Sequence, residues 1–168
     1  MKKEILYLIG FMGSGKTTIG KQLAVKEECD FVDLDDYIVQ QNNMNIPQIF
    51  EQFGEEGFRS WESQALHQCS LQGKVIIATG GGIVENSENI DFMKENGKVV
   101  YLKASFETIY SRIKDDGNRP ITKEGLSGLK KRYMNRVPLY EKADYIVSTE
   151  DKSLEEVISE LHHTVMYK

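Results

Sequence analysis

The chain is poor in the features that mark secretion, membranes or nucleic acids. It has two cysteines, Cys29 and Cys69, well separated and forming no C-x-x-C pair. That excludes a disulfide framework, argues against structural zinc, and fits isolated thiols in a reducing compartment. The three histidines, His67, His162 and His163, lack partners at metal-ligand spacing and read as surface residues. No apolar run approaches the ~18 to 20 residues needed to cross a bilayer. Basic residues are outnumbered 21 to 26, for a net charge of −5. This excess of acid disfavours a nucleic-acid platform or an anionic-membrane binder. Trp61 and the tyrosines form no stripe interleaved with basic residues. A strand begins about four residues from the N-terminus without a secretory pattern, so a cytoplasmic protein is expected. No internal repeat, low-complexity tract or linker breaks the 168 residues, and a single domain, residues 1–168, is expected. At 40% hydrophobic and 28% charged residues, the composition suits an ordinary soluble core.

What is present identifies a ligand class early. The apolar run Ile5-Leu6-Tyr7-Leu8-Ile9 leads into Gly10-Phe11-Met12-Gly13-Ser14-Gly15-Lys16-Thr17-Thr18. This is G-x-x-x-x-G-K-[ST] between a strand and a helix-forming stretch, the setting a phosphate-binding loop requires. Backbone N–H groups of such a loop converge on phosphate oxygens at a helix N-terminus. Lys16 would reach the β- and γ-phosphates and the Thr17 hydroxyl a Mg²⁺ ion.

Strands and helices alternate along the rest. Strands are expected at 4–9, Phe31-Val32, Val75-Ile76-Ile77-Ala78, Val99-Val100-Tyr101-Leu102 and Tyr145-Ile146-Val147. Helices are expected at 15–28, 46–72 with breaks near Gly54 and Gly57, 87–95 stopped by Gly97 as a C′ glycine, 105–114 and about 125–136. The last helix carries the clearest signal, a Ser153/Glu156 capping box before an apolar face of Leu154, Val157, Ile158, Leu161 and Val165. Uniformly apolar strands separated by helices indicate an α/β fold, a five-stranded parallel sheet covered by helices on both faces. The polar segment 115–124 is long enough to act as a lid, about 114–125.

Ligands of open parallel sheets bind beyond the carboxyl ends of the strands. Asp33 and Asp35 follow the second strand there, suited to a hydrated Mg²⁺ and to a substrate hydroxyl. Helix capping is the competing role for both, and it is the role expected of Asp36. Arg59 has Glu55 and Glu62 at helical spacing, so an ion pair competes with a ligand contact. Gly80, Gly81 and Gly82 end the third strand and favour close approach by a ligand over a simple tight turn. Arg112, Arg119 and Arg136 are basic residues in an acidic chain. An arginine such as Arg119, delivered by a loop, can stabilise charge in phosphoryl transfer; each of the three also reads as a surface residue.

Together these pieces resemble the shikimate kinases, small P-loop kinases related to the nucleoside-monophosphate kinases. The parts are G-F-M-G-S-G-K-T-T-I-G (10–20), D-L-D (33–35), G-E-E-G-F-R-S-W-E (54–62), T-G-G-G (79–82), N-R-P (118–120) and R-V-P-L-Y (136–140). The resemblance spans Ile5 to about residue 160 and implies a three-layer P-loop fold with a short lid. It also implies ATP and shikimate as ligands, Mg²⁺ as cofactor, and γ-phosphoryl transfer to the 3-hydroxyl of shikimate. Gly13, Ser14, Gly15, Lys16, Thr17 and Thr18 resemble the ATP cradle, with Thr17 and Asp33 at the Mg²⁺ positions. Asp35, Arg59, Gly80, Gly81, Gly82 and Arg136 resemble the shikimate site. Arg119 resembles a lid arginine on the ATP phosphates and Arg112 one flanking adenine, with Lys16, Asp35 and Arg119 as the catalytic set. The late adenine loop departs from the family's threonine-asparagine-basic pattern, reading Ser148-Thr149-Glu150-Asp151-Lys152, and its adenine contacts stay unassigned. A gluconate-type or other small-molecule P-loop kinase and a nucleotide-dependent switch are the alternatives. A monomer is expected.

Overall fold

A computed structural model describes residues 4–71, 73–115 and 125–166. Its centre is a parallel five-stranded sheet in the order β2-β3-β1-β4-β5. The strands are β1 (Glu4–Ile9), β2 (Asp30–Asp33), β3 (Lys74–Ala78), β4 (Lys98–Lys103) and β5 (Tyr145–Ser148). Their side chains alternate between two buried layers, which is why the strands read as continuous apolar runs. Ile5, Tyr7 and Ile9 point into one layer with Val75, Ile77, Val99 and Tyr101. Helices α2 (Leu34–Asn42), α3 (Ile46–Cys69), α4 (Ser87–Asn96), α5 (Phe106–Lys114) and α6 (Gly125–Tyr140) contribute to it. Leu6, Leu8, Ile76, Val100 and Leu102 point the other way, against α1 (Lys16–Lys26) and α7 (Leu154–Leu161).

The topology opens a crevice at one edge of this sandwich. From β1 the chain crosses through α1 to β2 on one side, and from β3 it returns through α4 to β4 on the other. Connections leaving in opposite directions separate at the carboxyl ends of the central strands, where ligands of open α/β sheets bind. Short caps fix the flanking elements. Ser153 and Glu156 form the expected capping box on α7, and Asn45 with Gln48 forms another on α3.

Four expectations of secondary structure differ from what is observed. Helix α2 was not foreseen: it has only Leu34 and Ile38 fully buried in nine residues, too weak a pattern to read. Helix α3 kinks at Gly54 (φ 68°, ψ −177°) but runs through Gly57. There a Cβ would lie 2.5 Å from the Phe53 Cβ, so glycine makes room within the helix rather than ending it. Gly97 ends α4 with φ −168°, which is extended backbone and no left-handed cap. A side chain there would sit 2.3 Å from the Ile5 carbonyl oxygen, so the glycine serves the close approach to β1. Helix α6 continues to Tyr140 through Pro138, losing the one hydrogen bond that a proline cannot donate.

The cysteines are free, Cys69 buried and Cys29 half-buried, and burial raises both thiols. His162 is not a plain surface residue, since its side chain is 20% exposed and its ring Nδ1 meets the Glu27 carboxylate. The lid segment falls largely on residues 116–124, outside the described residues, and Arg119 with it. No described helix is long and apolar enough to cross a membrane.

Candidate active site

The loop after β1 and the first turn of α1 form one wall of an open cleft of about 750 Å³. Gly15 caps α1 with φ 95°, a left-handed conformation that glycine takes without penalty and that turns the loop around its own N–H groups. Gly13, Gly15, Lys16, Thr17 and Thr18 line the cleft, and the Ser14 side chain is buried behind them. Lys16 Nζ donates to the carbonyls of Gly10 at 2.6 Å and Phe11 at 3.0 Å. Arg112, one helix away, donates to the Gly13 carbonyl at 3.0 Å and also lines the cleft. It thus meets the phosphate loop directly.

Asp33 proves to serve two purposes that the sequence set against each other. Its Oδ1 caps α2, accepting from the backbone N–H groups of Asp35 and Asp36. Its Oδ2 accepts the Thr17 hydroxyl at 2.6 Å. A hydroxyl and a carboxylate held side by side at the phosphate loop are hard oxygen donors fit for Mg²⁺. Among the described residues no group of three or more Asp, Glu, His or Cys side chains could hold a metal. Mg²⁺ needs none, because it is commonly bound through one or two protein oxygens, water and substrate phosphates. Asp35, freed from capping, turns into the cleft. Burial and then the neighbouring Asp33 charge raise its pKa, with Lys16 acting the other way. A carboxylate raised in this way is a better proton acceptor than an ordinary aspartate.

The far end of the cleft is a cluster of charges around the glycine triplet. Gly80 lies between two carboxylates: a Cβ there would be 2.8 Å from Glu62 Oε2 and 3.0 Å from Asp35 Oδ1. Arg59 packs flat over Gly82, leaving no room for a Cβ, which would sit 2.2 Å from Nη2. Gly81 offers its carbonyl to the Tyr140 hydroxyl at 2.5 Å. The triplet therefore makes room for protein groups that themselves line the cleft. The expected Arg59 ion pairs exist, to Glu62 at 3.0 Å and Glu55 at 3.6 Å. They do not remove Arg59 from the site, because its side chain still lines the cleft.

Two acidic residues matter here that sequence reading did not assign to the site. Glu62 is fully buried, and burial pushes its pKa up to about 7 although Arg59 pulls it down. Arg59 itself is raised; burial opposes its charge, but Glu62, Glu85 and Glu55 together outweigh that. Glu85, on the 3₁₀ turn Ile83–Glu85, places Oε2 3.2 Å from Arg59 Nη2 and Oε1 3.4 Å from Arg136 Nε. One carboxylate thus spans both guanidiniums. Asp35 Oδ1, Glu62 Oε2, Arg59 Nε and Ser14 Oγ are buried without a hydrogen-bond partner. Such atoms are rare inside proteins, and three of the four belong to side chains that line one cleft, which marks a site built for a polar ligand. Arg132, one turn before Arg136 on α6, also lines the cleft and went unnoticed in the sequence.

A family model described as shikimate kinase matches residues 12–166. The chain belongs to the shikimate kinase family. It is 39% identical over 156 residues to the shikimate kinase of Persephonella marina, covering 93% of this chain and 95% of that one. Among solved structures, a shikimate kinase from Acinetobacter baumannii in complex with shikimate superposes with a TM-score of 0.90 at 33% identity, covering 98% and 94% of the two chains. The shikimate kinase of Aquifex aeolicus superposes at 0.87 with 39% identity and 96% of each chain. The fold expected from sequence, a P-loop sheet with helices on both faces, is that of these shikimate kinases.

Proposed function

We propose that this chain transfers the γ-phosphoryl group of ATP to the 3-hydroxyl of shikimate. Family membership and the Acinetobacter shikimate complex support the acceptor. The observation that carries the reading residue by residue is the Glu85 bridge. Arg59 and Arg136 are spaced so that the two oxygens of a single carboxylate reach both, as the carboxylate of shikimate would. Charge-assisted pairs of this kind orient an acceptor as well as hold it.

Shikimate bound by its carboxylate at that end directs its ring hydroxyls toward Asp35 and the phosphate loop. Asp35 orients the attacking hydroxyl and accepts its proton, a role its raised pKa favours. Residues 13–18 cradle the ATP phosphates, with Lys16 turning from the loop carbonyls onto them. Thr17 and Asp33 would hold Mg²⁺, which would supply positive charge against that of the phosphates. Arg112 flanks the nucleotide beside Gly13. Arg119, outside the described residues, keeps the role of stabilising charge on the transferring group that the family resemblance gives it. Catalysis of this kind rests on positioning and charge stabilisation, for which these residues suffice. The reading includes a cytoplasmic location and a single domain.

The test is ADP release with ATP and Mg²⁺ across shikimate, gluconate and nucleoside monophosphates, with Arg59→Lys and Arg136→Lys alongside. Turnover is expected with shikimate alone. Each substitution is expected to weaken shikimate binding far more than ATP binding, because lysine keeps the charge and loses the planar fork. Faster turnover of gluconate, or equal loss of ATP affinity, overturns the assignment.

A further inference from the structure

The acceptor end of the cleft is occupied by a carboxylate of the protein's own. We propose that Glu85 competes with the acceptor's carboxylate for Arg59 and Arg136, and so sets how tightly a carboxylated acceptor binds. The inference rests on the assignment of these two arginines to the acceptor. Glu85 meets both guanidiniums through opposite oxygens, at 3.2 and 3.4 Å. An incoming carboxylate that used the same two donors would have to displace it.

The alternative role for Glu85 is to hold the arginines in place. The structure argues against it, because both are fixed by other means. Arg59 is held by the buried Glu62 at 3.0 Å, on its own helix one turn away. Arg136 is buried against the Phe11 ring, its guanidinium 5.8 Å from the ring centre. Of the two acids closest to Arg59, Glu85 is the exposed one, with a side chain 41% accessible against 1% for Glu62. It follows the glycine triplet on a single 3₁₀ turn, from which an exposed glutamate can swing into water without disturbing the core. Glu62 is therefore the fixed partner of Arg59 and Glu85 the exchangeable one. A neutral acceptor has no carboxylate to exchange for Glu85 and feels no competition from it.

The two roles predict opposite signs. Titration calorimetry of Glu85→Gln and Glu85→Ala with shikimate, and with its uncharged methyl ester, separates them. Competition predicts that shikimate binds about two- to fivefold more tightly to both variants, the range of a partly exposed ion pair removed. It also predicts that the methyl ester gains nothing. Weaker shikimate binding, or an equal gain for the ester, overturns the proposal. The arginine substitutions described above keep the two failures apart. If Arg59→Lys and Arg136→Lys leave shikimate binding intact, the acceptor assignment itself is wrong. If they weaken it while Glu85→Gln fails to strengthen it, only the competition is wrong.

Discussion

Gly82→Ala tests whether Arg59 must lie where the structure puts it. The backbone at Gly82, φ −94° and ψ 4°, is open to alanine, so the change adds a methyl group without backbone strain. That methyl would stand 2.2 Å from Arg59 Nη2, 2.5 Å from Nη1 and 2.6 Å from Cζ. Ordinary contact begins near 3.4 Å, so the guanidinium must retreat by roughly 1.2 Å. It cannot do so and keep its 3.0 Å hydrogen bond to Glu62 together with its alignment to Arg136. Losing one charge-assisted hydrogen bond to the acceptor costs about 1.5–3 kcal/mol, which is roughly 10- to 150-fold in affinity. Shikimate binding should weaken by that factor, while binding of a non-hydrolysable ATP analogue should change little, since the three atoms nearest the added methyl all belong to Arg59. Calorimetry with each ligand, with circular dichroism to verify the fold, makes the measurement. A folded Gly82→Ala protein that binds shikimate as tightly as the parent would refute the placement of Arg59.

Two other substitutions probe the same cleft. Glu62 is protonated in both folded and unfolded chains below about pH 4.5, and the unfolded chain loses its proton first as pH rises toward the folded value of about 7. Stability of the parent should therefore fall relative to Glu62→Gln between these values, and denaturation midpoints at about pH 5 and pH 8 check it; parallel pH curves would rule the shift out. Asp35→Asn should lower turnover about 10²- to 10⁴-fold, the usual worth of a general base, with α2 intact because Asp33 is its cap. Normal kcat in steady-state assays would remove Asp35 from the chemistry.

The fold was legible where local chemistry and tertiary demand agree. Strands buried on both faces leave uniform apolar runs, so all five were placed to within a residue or two. The capping box of α7 is a contact between residues three apart and is written in the sequence. Helix α2 was hidden because the residues around its two buried positions are mostly polar or acidic, and its first-turn acids, Asp35 and Asp36, resemble a site cluster. Gly97 reads as a helix-ending cap, whereas its true constraint is a carbonyl on β1, more than ninety residues earlier in the chain. Likewise, the phosphate loop, Asp33, Asp35 and Arg59 could be picked out because each lies in a short motif or beside a strand end. Glu62 could be seen only as a neighbour of Arg59, because its burial depends on α3 packing against the turn after β3. Glu85 offered no signal, since its partner Arg136 is 51 residues away.

The hidden residues resolve an apparent contradiction in the proposed acceptor site. A site for an anion is expected to be positive, yet Arg59 and Arg136 are set among Asp35, Glu55, Glu62 and Glu85. Counted as formal charges the acids prevail, and shikimate would be repelled. The structure distinguishes these acids by depth. Glu55 is 68% exposed, so solvent and salt screen its charge. Glu62 is raised to about 7 by burial, so near neutrality part of its population carries no charge. Asp35, raised by burial and Asp33, lies on the side of Lys16, whose charge opposes the shift. Glu85 alone combines charge, proximity to both guanidiniums and freedom to leave. The site is thus made neutral enough to be stable without ligand, and its charge balance turns toward binding when one exposed side chain yields its place. On the proposed reading, a family motif records the arginines that hold the acceptor. How strongly they hold it depends on acids around them, of which the sequence marks Asp35 and the Arg59 partners Glu55 and Glu62 but not Glu85.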